Sequence, residues 1–116
     1  MKLKNVDAYQ SFIIMQESSE IGMLGFAIAK NMRKLANELI EYDNKRNELI
    51  KKYGTQTDGD KYQFTIEDSK RFYEEMKPFD ELEIEFEPMT VTEETFAGGS
   101  LTSDQMYPLM WMVKED

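Results

Sequence analysis

The stretch Ile28 to Gly54, IAKNMRKLANELIEYDNKRNELIKKYG, decides how this chain folds. Its positions Ile28, Met32, Leu35, Leu39, Tyr42, Arg46, Leu49 and Tyr53 step by 4, 3, 4, 3, 4, 3, 4, a heptad seam broken only by Arg46. Read as one continuous helix, the 26 residues before Gly54 span about 39 Å at a 1.5 Å rise, enough for the spine of a small domain. Lys51 and Lys52 stand where cations favour the negative end of the helix dipole, and Gly54 follows where a left-handed C-cap needs no Cβ. The seam reads first as packing against the chain's own helices. A coiled-coil contact with another chain, homo-oligomerisation included, is the second reading, because Ile40 and Ile50 widen the apolar surface beyond a narrow seam.

Outward from this helix, Met1 to Lys4 reads as a short strand. A helix follows, capped by Asn5 or Asp7, with Tyr9, Phe12, Ile13 and Met15 expected on its inner side. Ser18-Ser19-Glu20 supplies hydroxyls and a carboxylate for the start of the spine helix. Asp58-Gly59-Asp60 is a tight turn before the alternating Tyr62, Phe64 and Ile66, which predict a short strand. Thr65 with Asp68 caps the next helix, whose inner side is Phe72, Tyr73 and Met76 and whose end is expected at Pro78. The segment Glu81 to Glu87 alternates strictly, with Leu82, Ile84 and Phe86 on one face and four glutamates on the other, as a half-buried strand does. Met89 to Phe96 is read as one more short extended piece before Ala97-Gly98-Gly99-Ser100. Thr102 and Gln105 form a capping-box pattern for a last helix presenting Met106, Leu109, Met110 and Val113, which Pro108 bends or delays. The fold class is therefore α+β: a long central helix, two to three shorter helices and a small antiparallel sheet.

With 116 residues, 41% apolar and 32% charged, the chain fits one acidic domain, 1–116, with one modest core. It has no cysteine and no histidine, which removes thiolate chemistry, sulfur ligands, the commonest general base and the commonest transition-metal ligand. Enzymatic activity is not expected, nor is a cofactor or metal. The net charge of -9 is uneven: residues 1–53 hold nine Lys/Arg against seven Asp/Glu, whereas residues 54–116 hold five against sixteen. Such a field repels phosphate backbones and anionic lipid and attracts basic protein surfaces, so neither nucleic acid nor membrane is an expected partner. The longest apolar run, Ile21 to Ala29, is nine residues with two glycines, far short of the roughly 20 a membrane helix needs.

Candidate binding residues follow from surface chemistry. An EF-hand reading of Asp58-Gly59-Asp60 fails, because ligand positions one, three and twelve would be Gly54, Gln56 and Thr65. Glu81, Glu83, Glu85 and Glu87 form a comb at ~7 Å steps rather than a metal cage: a solvated strand face first, and second a surface that docks a basic partner or mimics DNA phosphates. Met110 and Trp111, within Leu109-Met-Trp-Met-Val113, are the other candidates, since methionine and tryptophan make adaptable contact surfaces.

Four segments in order, Met1-Lys-Leu-Lys-Asn5, Ile28-Ala-Lys-Asn31, Leu49-Ile-Lys-Lys-Tyr-Gly54 with its following Asp/Gly turn, and Leu109-Met-Trp-Met-Val113, give the chain its resemblance to an uncharacterised family of small bacteriophage and prophage proteins. That resemblance covers nearly the whole chain, and its motifs are structural. It implies a late-region product acting in the cytoplasm of the bacterial host, in assembly, as a virion component or not, or in host interaction. It carries over no catalytic residue. The expected function is a non-enzymatic accessory or assembly protein that binds a phage or host protein. The alternative is an acidic, DNA-mimicking inhibitor of a host defence or nucleic-acid-binding protein.

Overall fold

The computed structural model describes residues 1–114. In chain order its elements are β1 (Lys2–Lys4), α1 (Asn5–Glu17), α2 (Gly22–Glu38), α3 (Ile40–Tyr53), β2 (Thr55–Gln56), β3 (Tyr62–Gln63), α4 (Ile66–Asp80), β4 (Glu83–Glu85), α5 (Glu93–Ala97) and α6 (Ser103–Met106). A 3-10 helix, Tyr107–Met112, follows directly. The architecture is α+β, helix-dominated, with two small two-stranded antiparallel sheets, β1–β4 and β2–β3.

The heptad seam is present but is shared by two helices. Leu39 leaves helical geometry at φ -96° and ψ 4°, while its N–H still reaches the Leu35 carbonyl and its own carbonyl accepts from Asp43. Each half follows a different neighbour: α1 lies along α2, and α4 lies along α3. Leu35, Leu39, Tyr42 and Leu49 are buried within the chain's own core, as the internal-packing reading expects. Ile40 remains exposed beside them.

Local signals of capping and turning are met where they need only neighbouring residues. Thr65 Oγ1 accepts the Asp68 N–H at 3.1 Å, and Thr102 with Gln105 makes both bonds of a capping box. Gly59 turns the β2–β3 hairpin at φ +63°. Other expectations are corrected. Gly54 is extended, at φ -86° and ψ 154°, and its smallness serves close approach: a Cβ there would meet the Ile50 carbonyl at 2.7 Å. Neither Asn5 nor Asp7 caps α1; Asn5 is buried and its amide donates to the Phe79 carbonyl at 2.9 Å. Ser18 to Glu20 do not cap α2, because the Glu20 carboxylate turns to the backbone N–H and hydroxyl of Ser100. Ile66 begins α4 rather than ending a strand, and Tyr73 points to solvent. Pro78 sits inside the last turn of that helix, where the bond its missing N–H forgoes is one of the last available.

The glutamate strand is shorter than the alternation implies. Glu83–Glu85 form β4, with Lys2 opposite Glu85, Leu3 opposite Ile84 and Lys4 opposite Glu83. Backbone bonds from the Asn5 N–H to the Leu82 carbonyl and from the Phe86 N–H to the Met1 carbonyl flank the pair, and Ile84 and Phe86 are buried as the alternation expects. Glu81 caps the end of α4 instead, and Leu82 is exposed. Between β4 and α5 the chain is held by Asn31, wholly buried, whose amide donates to the Met89 carbonyl at 2.9 Å and accepts the Met89 N–H at 2.7 Å. Val91 bridges Val113 in parallel, and Phe96 lies in α5 rather than in an extended piece. The C-terminal segment accommodates Pro108 by changing to 3-10 geometry, with proline in its first turn. That tightening brings Leu109 and Met112 inward, three apart, and turns Met110 out.

Candidate protein-binding groove

The sequence-derived candidates do not form one surface. Glu83 and Glu85 face lysines across the β1–β4 pair, which sets opposite charges side by side and breaks up a phosphate-like row. Glu81 belongs to the helix end, and the backbone carbonyl of Glu87 accepts from Lys34 Nζ at 2.6 Å. Trp111 is half-buried and tied inward: its indole N–H donates to Ser11 Oγ at 3.2 Å, and that hydroxyl donates to the Pro108 carbonyl at 3.1 Å. Its ring meets Phe86 edge-on, with centroids 5.5 Å apart. Met110 alone among the candidates offers open apolar surface, beside Leu3 and Tyr107 in a depression of about 440 Å³.

A larger apolar surface lies on α1. Its core-facing residues are Asn5, Ala8, Ser11 and Met15, spaced by three and four. Small Ala8 and Ser11 let α1 sit close to its neighbours, which leaves the bulkier Val6, Tyr9 and Ile13 at the rim. The expected inner side of Tyr9, Phe12 and Ile13 is thus only partly covered, and Met15 alone of that set is buried. Two grooves flank this rim. One, about 420 Å³, runs between α1, α3 and α4 past Val6, Tyr9, Ile13, Tyr42, Arg46, Tyr73 and Asp80. The other, about 490 Å³, lies against α1 on the side of Leu39 and Ile40, and shares Tyr9 and Ile13 with the first. Tyr73 is 64% exposed, Ile40 53% and Val6 40%, so an apolar rim joins the two grooves, the second of which is edged by the polar Gln16, Asp43 and Asn44.

Polar groups in the first groove are few and specific. The Tyr42 hydroxyl donates to Asp80 Oδ1 at 2.5 Å. Burial, and then the hydrogen bond and charge of Asp80, hold the Tyr42 phenol protonated far above the ordinary tyrosine range. Arg46 lies with its guanidinium carbon 5.0 Å from the Tyr9 ring centroid.

The chain matches no protein-family model, no curated protein and no solved structure.

Among the described residues no group of three or more acidic side chains converges as metal ligands do, and no helix is long and apolar enough to cross a membrane. The first groove holds one carboxylate, one guanidinium and three phenols, those of Tyr9, Tyr42 and Tyr73, in an apolar setting. Sequence reasoning missed it for a definable reason. The apolar residues of α1 surround the helix, which leaves no single inner face to read, and the break in the seam at Arg46 was the one sign of an opening.

Proposed function

We propose that this chain is a non-enzymatic accessory or assembly protein that acts by binding another protein through the apolar face of α1 and its two flanking grooves. The observation that carries the reading is that Val6, Ile40 and Tyr73 are exposed and Ile13 half-exposed while small Ala8 and Ser11 are buried, which leaves bulky apolar surface for a partner to cover. The absence of histidine and cysteine supports a binding role. Its resemblance to small bacteriophage and prophage proteins directs the reading to a phage or host protein in a bacterial cytoplasm. Tagged wild type and the variants Ile13→Asp and Tyr73→Asp, incubated with phage-infected host lysate at low and high salt, test it. A partner retained by the wild type at high salt and lost from both variants is the expected result, because apolar contact survives screening. Equal retention by all three proteins would remove the groove from the function.

A further inference from the structure

We propose that the groove between α1, α3 and α4 selects a partner helix that carries a carboxylate on its otherwise apolar face, and that Arg46 is the residue that reads it. This rests on the docking reading above and adds the chemistry of the occupant. Arg46 is the only charged residue in the seam from Ile28 to Tyr53, and every other seam position is apolar or aromatic. It is half-buried, its guanidinium carbon lies over the Tyr9 ring, and the ion pairs found among the described residues, Lys45–Glu48, Lys52–Glu75 and Arg71–Glu67, leave it out. A guanidinium held over a ring and bonded to no carboxylate keeps its N–H donors for a planar acceptor, and a carboxylate matches that fork with two parallel bonds. Asp80, the other charge lining the groove, already has a donor in the Tyr42 hydroxyl. The second groove adds the Asp43 carboxylate, which accepts from the Asn47 amide at 3.5 Å, so it is the guanidinium N–H groups of Arg46, bonded by no carboxylate in those ion pairs, that are left to a partner.

The shape of the surface sets the length of the occupant. The exposed side of α1 from Val6 to Gln16 extends about 15 Å at helical rise, and the two grooves meet across Tyr9 and Ile13. A partner helix lying along this line covers both grooves with side chains three and four apart and places one inward carboxylate at Arg46. Within a surface that excludes water, an unmatched partner leaves the guanidinium desolvated without an acceptor, so selection works by penalty as well as by attraction.

Three synthetic helical peptides test this, sharing one Leu/Met face and differing only at its central position, which is Glu, Gln or Lys. Each is titrated into isotope-labelled full-length protein, with affinity taken from backbone amide shifts and fluorescence anisotropy. The Glu peptide is expected to perturb Tyr9, Ile13, Arg46 and Tyr73 and to bind at least about tenfold more tightly than the Lys peptide. Arg46→Glu is expected to reverse that order, and Arg46→Met, which keeps an apolar stem, to make the Glu and Gln peptides equal; thermal melts verify that both variants fold. Equal binding of all three peptides in the groove overturns carboxylate selection and leaves the docking reading standing. Shifts that avoid the groove with every peptide overturn both.

Discussion

Asn31 joins two parts of the chain 58 residues apart, and it does so with both ends of one amide, mimicking a strand edge for Met89. Buried amide pairs of this kind contribute little net energy while intact but are costly to break, because the orphaned N–H and C=O have no water to turn to. Asn31→Leu is expected to lower stability by about 2–4 kcal/mol, read as a fall in the urea midpoint at unchanged slope. Tyr42 makes a pH-dependent contribution. Below the ordinary value of 10.0 both folded and unfolded chains keep the phenol proton, so its contribution is fully present. Above that value the unfolded chain releases the proton while the folded chain, with its raised pKa, holds it, and stability falls as pH rises. Urea melts between pH 8 and 11 should show this alkaline loss, and Tyr42→Phe should flatten it. A Tyr42→Phe slope equal to that of wild type would mean that burial and the Asp80 bond do not raise the Tyr42 pKa in the folded chain.

At the level of elements, close approach and charge pairing matter more than intrinsic propensity. The end of α3, Tyr62 and Phe64 converge on Gly54, where a Cβ would lie 2.7 Å from a backbone carbonyl and 3.1 Å from the Tyr62 Cβ. Gly54→Ala is expected to cost about 1–3 kcal/mol and to shift amide resonances throughout the β2–β3 hairpin, even though its φ suits alanine. Glu83 and Glu85 give a second case. Changing either to lysine sets like charges opposite Lys4 or Lys2 and should destabilise the β1–β4 pair by about 0.2–1 kcal/mol each. In the phage-lysate assay the same changes should leave retention through the α1 face intact. Loss of the partner with Glu83→Lys and Glu85→Lys, at unchanged melting temperature, would return the acidic strand to the centre of the function.

Across the whole molecule, 46 × 29 × 22 Å, the helices form an elongated body with its core running along α2, α3 and the segments that cover them. Uncovered apolar surface lies over the start of α2 at Ile21, Met23 and Phe26, over Ile66, Leu82, Tyr107 and Met110, and in part on the side where α1 meets α3 and α4. Rim residues on this side contribute little to folding, so Tyr73→Asp, the more exposed of the two groove variants, should change stability by no more than about 0.5 kcal/mol in chemical denaturation. A much larger loss would mark Tyr73 as a structural residue.

What the sequence by itself determined is what depends on neighbours along the chain. The α+β class, the inward seam of Leu35, Leu39, Tyr42 and Leu49, the caps at Thr65 and Thr102, and the turn at Gly59 follow from periods of three and four, from side chains reaching their own backbone, and from the conformational freedom of glycine. The tertiary structure alone decided the break at Leu39, the lysines opposite the glutamate strand, the hold of Asn31 on Met89, and the burial of Ala8 and Ser11 in place of Val6 and Ile13. Each of these joins segments far apart in the chain. Whether a small residue is buried or a large one left open depends on how closely two such segments approach, and no local period encodes that distance.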